Sequence, residues 1–168
     1  MYHRIGHVRP AFFQDLSRME GELVTANKEL RESLDRLQPL ALLALRLVLG
    51  IIMIAHGYPK MFGGFPRMEQ MCSDLGFPSW FAYLLVGTEV AGGVLVIAGC
   101  FTRFFSLAML IDMIVAIWKI HWKNGLRGEG GYEFPLSLAV IAFALIFFGA
   151  GPFALDQIHR IRSSTTKD

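Results

Sequence analysis

The sequence predicts an all-α integral membrane protein, a bundle of four membrane-spanning helices preceded by an amphipathic helix outside the bilayer. Two observations carry this. Over half of the 168 residues are hydrophobic (54%) and only 18% are charged, a balance poorer in charge than soluble domains show. The apolar residues also fall into four blocks, about 40–58, 80–100, 104–121 and 134–151, while charge gathers in the first forty residues, the links and the tail. Each block approaches the roughly 20 apolar residues needed to cross a bilayer core.

Three parts follow: an N-terminal helix in residues 1–38, a four-helix domain in 39–156 and a tail in 157–168. In the first part Phe12, Leu16, Met19, Leu23, Ala26, Leu30, Ser33 and Leu37 recur in alternating steps of four and three. That spacing is a coiled-coil-like seam with charges on the other faces. It makes Phe12, Leu16, Leu23, Leu30 and Leu37 a face for a partner polypeptide or for the membrane surface. Pro39 is expected to break the helix. Ser79 and Thr102 are expected to cap the second and third spans, and Pro135 falls in the first turn of the fourth, where its missing N–H is harmless. The link Phe101-Thr102-Arg103 is short enough to make the second and third spans antiparallel neighbours. The glycines of the 122–133 loop suggest a mobile or ligand-facing segment.

Ten Lys and Arg lie in the N-terminal segment, the short link and the tail, against five in the other two loops. The positive-inside rule then places both termini in the cytoplasm of a multi-pass inner-membrane protein. The N-terminus is too polar for a secretory signal, so the first apolar block is expected to direct insertion. A net charge of +2 gives no reason to invoke nucleic acid. Nucleotide-binding, Ser/His/Asp and CxxC signatures are absent, no metal site is expected, and no catalytic residue can be named. The two cysteines, Cys72 and Cys100, do not make a disulfide framework.

Arg46, Glu89 and Asp112 fall inside apolar blocks, where a charge is costly unless it faces the bundle interior. Counting about 1.5 Å per residue puts them about 9, 16 and 12 Å from the cytoplasmic side, so they are expected to form one buried network, with Arg46 paired to Glu89. Its role is either to fix helix register or to relay protons. Small residues around Glu89 (Gly87, Ala91, Gly92, Gly93) favour close helix packing. A second polar layer gathers His56, Lys60, Lys119, Trp122, Tyr132 and Glu133 at the opposite ends of the spans. It reads either as an interfacial belt or as a ligand site. Helical phase aims His121 away from Asp112.

In order along the chain come Arg46, Gly50, His56, Gly57 and Lys60, then Glu89, Gly92 and Gly93, then Gly99, Thr102 and Arg103, then Glu133, and finally Gly149, Gly151, Leu155 and Asp156. In this order and spacing the chain resembles the DoxX family of small four-helix membrane proteins, from Arg46 to Asp156. The resemblance implies a four-helix bundle in the cytoplasmic membrane and an association with redox chemistry, since relatives include the membrane subunit of thiosulfate:quinone oxidoreductase. The N-terminal helix is an addition to the short family pattern.

The expectation is a membrane subunit, not catalytic alone, that anchors a quinone-linked oxidoreductase complex in lipid beside a partner carrying the redox centre. Quinone would meet His56, Lys60 or Glu133, with Trp122 or Tyr132 against its ring and Lys119 nearby. The alternatives are an accessory subunit without ligand and a haem b protein with His56 and His121 as ligands. A transporter is disfavoured by the small size and the lack of a visible repeat.

Overall fold

The computed structural model describes residues 11–157, except for the side chains of residues 11, 12 and 14. The expected Phe12 contact and all but the first residue of the 157–168 tail therefore lie outside what is described. The described residues are helical, with no strand. Helix α1 is Ala11–Met61, α2 is Phe65–Asp74, α3 is Phe81–Ala98, α4 is Thr102–Asn124 and α5 is Glu133–Phe148. The apolar part of α1, together with α3 and α4, is long and apolar enough to cross a membrane, and α5 is a shorter apolar helix. The protein is a multi-pass, all-α membrane protein.

Two compact units divide at residue 38. In the first, the helix is exposed on every described face, including Leu16, Leu23, Leu30 and Leu37. Its polar side is laced by an Arg18–Glu22 ion pair of 3.2 Å, one turn apart. Pro39 does not break the helix, which the structure assigns without interruption to Met61.

The second unit is the bundle. Its core joins Leu49 and Met53 of α1, Val96 of α3, Met109 and Met113 of α4, and Leu138, Ala142 and Leu145 of α5. Glycines set the approach of α1 and α3. A Cβ on Gly50 would lie 2.7 Å from the Gly93 carbonyl oxygen, and one on Gly57 would lie 2.8 Å from the Glu89 Cβ. This is the small-residue packing that membrane helices use. Gly87, by contrast, faces open space.

Those contacts also fix the register. Gly57 is level with Glu89, and Arg46 is level with Ile97 and Gly99. Eleven residues of α1, about 16 Å, therefore separate Arg46 from the level of Glu89. The expected single layer of Arg46, Glu89 and Asp112 does not form, because the apolar blocks do not begin and end flush. The caps differ as well. Neither α3 nor α4 carries a side-chain cap from Ser79 or Thr102. Instead the Asp156 carboxylate accepts the Phe101 N–H at 2.8 Å, ahead of α4. Phe101 takes a left-handed φ of 48°, the sharp turn that so short a link requires.

Both α3 and α4 contain a π-helical turn, Thr88–Gly92 in one and Ile117–His121 in the other. A π turn carries one residue more than the regular helix and is frequent at functional sites.

Candidate functional site

Arg46 is 1% exposed. Its Nε donates to Val96 O at 2.9 Å, and Nη1 donates to Ala150 O and Phe153 O at 2.8 and 2.9 Å. Nη2 donates to Ile97 O. Val96 and Ile97 lie in the last turn of α3, where carbonyls run short of intrahelical partners, although Val96 O also accepts the Gly99 N–H at 3.2 Å; Ala150 and Phe153 follow α5. The guanidinium thus ties two chain ends together through backbone alone. Gly99 has to be glycine here: its φ is +76°, and a Cβ would lie 2.6 Å from that of Ala154 and 2.7 Å from Arg46 Nη2. The Gly99, Thr102, Arg103, Gly149, Gly151 and Asp156 positions cluster at this end, where Arg103 also donates to Phe147 O at 3.2 Å. The expected Arg46–Glu89 pair is absent. Arg46 reaches the near helix ends instead, and Glu89 has another partner.

That partner is Lys60, whose Nζ is ion-paired with Glu89 Oε1. The pair borders a cavity of about 460 Å³, within the range of small-molecule sites. His56, Lys60, Glu89, Asp112, His121 and Glu133 line it, among walls that include Met53, Phe77, Phe81, Met113, Phe134 and Leu138. Glu89 is 4% exposed and Asp112 is 9% exposed. Glu89 Oε2 and Asp112 Oδ2 are buried without a hydrogen-bond partner, an arrangement that costs free energy unless a ligand or water completes it. Thr102 and Ser106 bury hydroxyls that likewise lack partners, but away from this cavity.

The two histidines are held by backbone. His56 Nδ1 lies 3.1 Å from Ile52 O and its ring stacks on Phe134 at 5.5 Å. His121 Nδ1 lies 2.6 Å from Gly130 O. Nine regular helical residues would turn His121 about 180° from Asp112. The π turn Ile117–His121 inserts an extra residue and brings His121 back to the cavity, overturning the expectation that it points away. The glycine-rich 122–133 loop closes on itself through Tyr132 N to Gly125 O at 3.1 Å, Glu133 N to Leu126 O at 3.0 Å and Asn124 Nδ2 to Gly130 O at 2.9 Å. Gly128, Gly130 and Gly131 line the cavity.

Three expected ligand residues stand apart from it. Lys119 Nζ donates to Leu75 O at 3.4 Å and sits 5.4 Å over the Phe77 ring, where it steadies the segment after α2. Trp122 and Tyr132 stack on each other at 5.7 Å and do not line the cavity, since each ring already covers the other. Helix α2 lies in the link between the first two apolar blocks, where the pattern of apolar blocks predicts no helix. Its Met68, Met71 and Cys72 close one side of the cavity. The signal was there in Pro66 at the first turn and in apolar residues Phe65, Met68 and Cys72 at helical spacing. Burial raises the Cys72 thiol pKa, and nearby Lys60 opposes the shift more weakly.

A small multi-pass bundle with a polar pocket at one end of its spans defines the class. The DoxX family model matches residues 41–122. The chain is 35% identical over 114 residues to a Bacillus subtilis protein described as "Putative oxidoreductase CatD", an alignment covering 68% of this chain and 83% of the relative. It is 37% identical over 128 residues to the inner membrane protein YphA of Escherichia coli, covering 71% and 91% of the two chains. An uncharacterized membrane protein of Mycobacterium tuberculosis is 28% identical over 137 residues, covering 71% and 81%. The chain belongs to the DoxX family. No solved structure matches it.

Proposed function

We propose that this protein is a membrane subunit that holds the ring of a quinone or its quinol and so supports a quinone-linked oxidoreductase, whose redox centre sits on a partner polypeptide. The observation that carries this reading is the cavity itself: aromatic and aliphatic walls, a half-buried Lys60 paired with the buried Glu89, and Asp112, His56, His121 and Glu133 on the same lining. Flat apolar walls suit a ring, and a few polar groups suit its two oxygens. The description of the Bacillus subtilis relative as an oxidoreductase agrees with this. The partner would dock on the exposed Leu16, Leu23, Leu30 and Leu37 face, and both termini would lie in the cytoplasm.

The test is quinone turnover by the intact complex carrying His56→Leu or Glu133→Gln in forms that still assemble. Turnover should fall in both. Unchanged turnover in both would leave the chain as an anchor without a ligand. A second reading, haem b held between His56 and His121, draws on their sharing one cavity with Nδ1 of each turned to a carbonyl, which frees Nε2 for a metal. A Soret band in the purified protein would favour it over the quinone reading.

A further inference from the structure

We propose that the cavity selects the reduced, dihydroxy form of the ring, binding hydroquinone in preference to quinone; this rests on the quinone reading above. The argument is a balance of donors and acceptors. A quinone presents two carbonyl oxygens and needs donors. A hydroquinone presents two O–H groups and needs acceptors. The donors lining this cavity are partly engaged. Lys60 gives one of its three N–H groups to Glu89 Oε1. His56 and His121 turn Nδ1 to the carbonyls of Ile52 and Gly130. A carbonyl only accepts, so Nδ1 carries the hydrogen, and in the neutral ring Nε2 is left as an acceptor.

The acceptors, in contrast, are in surplus. Glu89 Oε2 and Asp112 Oδ2 belong to side chains more than nine-tenths buried, both on the cavity lining, and neither oxygen has a partner. One lysine also shares this lining with three carboxylates, Glu89, Asp112 and Glu133, so the site favours a neutral hydrogen-bond donor over a further negative charge. A bound cation is the other way to satisfy such oxygens. Among the described residues, however, no three His, Cys, Asp or Glu side chains converge to hold a metal ion. A ligand bearing two hydroxyls on a flat apolar ring meets both requirements: Asp112 and Glu89 accept its hydrogens, and Phe77, Phe81 and Phe134 flank its faces. Sites built to hydrogen-bond a hydroxyl discriminate strongly against analogues that lack it.

The experiment uses the full chain in lipid nanodiscs under anaerobic conditions and measures equilibrium binding of three probes. These are a short-tailed benzohydroquinone, its dimethyl ether and the matching benzoquinone. The hydroquinone should bind at least about tenfold more tightly than either of the others. Asp112→Asn should bring the hydroquinone-to-quinone ratio to within about threefold, because an amide can donate to a carbonyl. Asp112 is the informative position because its substitution breaks no existing bond, whereas altering Glu89 unpairs Lys60. Quinone bound as tightly as hydroquinone by the unaltered protein would overturn the selectivity while leaving the ring-binding reading intact. An unchanged ratio in Asp112→Asn would overturn it too. If none of the three probes binds, the proposed function falls, and the selectivity with it.

Discussion

The two ends of the bundle treat buried charge in opposite ways. At one end Arg46 spends its guanidinium on four backbone carbonyls and Asp156 caps the turn before α4. At the other, Lys60 satisfies one oxygen of Glu89, while the second oxygen of Glu89 and one of Asp112 remain without partners beside a cavity. At the first end the buried guanidinium is fully partnered; at the second, two carboxylate oxygens are not. The difference separates a charge that holds the fold from charges left short of partners, although Arg46, Glu89 and Asp112 are all rare charged groups inside apolar helices.

The largest effect should come at the first end. Arg46→Met removes four hydrogen bonds to backbone carbonyls and is expected to cost more than about 3 kcal/mol, read as a lower thermal midpoint in detergent and a poor yield of folded protein. Lys60→Met should cost roughly 3 kcal/mol by leaving Glu89 buried and unpaired, and adding Glu89→Gln should recover much of that loss. The same cycle run on Arg46 and Glu89 should be additive within about 0.5 kcal/mol, since the two share no partner. Coupling there would erase the contrast between the ends.

The apolar helices and the buried character of Arg46, Glu89 and Asp112 were legible in the sequence, and His56, Lys60 and Glu133, grouped there at one end of the spans, line one cavity. The sequence did not reveal who pairs with whom. Pairing depends on the stagger of α1 against α3, which Gly50, Gly57 and Gly93 decide by contact and which no count along a single helix contains. His121 was misplaced for a related reason. A regular 3.6-residue period was assumed across a segment that holds a π turn, and nothing in Ile-Trp-Lys-Ile-His announces the extra residue. Trp122 and Tyr132 have the composition of ring-binding residues, but their partners are each other.

Smaller effects refine the contrast. Gly99→Ala should cost about 1–3 kcal/mol from its positive φ and the close Ala154, and should leave ligand binding at the far end unchanged. Cys72 gives a pH handle on the cavity wall. Because burial raises its thiol pKa, its alkylation in the folded protein should keep accelerating with pH after that of an unfolded control has levelled off. A plateau at the same pH would mean that α2 does not shield the cavity. Its burial also makes Cys72 a poor reporter of membrane orientation. Cysteines placed at exposed Arg67 and Gln157 are better, and cytoplasmic termini require an impermeant reagent to label the first and spare the second. Asp112→Asn should have the smallest effect on stability, since it removes no hydrogen bond.

The π turns at Thr88–Gly92 and Ile117–His121 make the cavity removable by a single deletion in either helix. Each turn holds one residue more than a regular helix would, so deleting that residue lets the hydrogen bonds close in the ordinary way and rotates everything beyond by about 100°. In α4 such a deletion would carry His121 off the lining. In α3 it would change the angle between Glu89 and the Val96 and Ile97 carbonyls that Arg46 holds. A shortened chain of this kind would keep its spans and its family likeness, and its helices would be more regular. It would nonetheless have a different cavity lining. Among homologous sequences, then, the length of these two segments is a more telling mark of a shared cavity than the identity of any one polar residue.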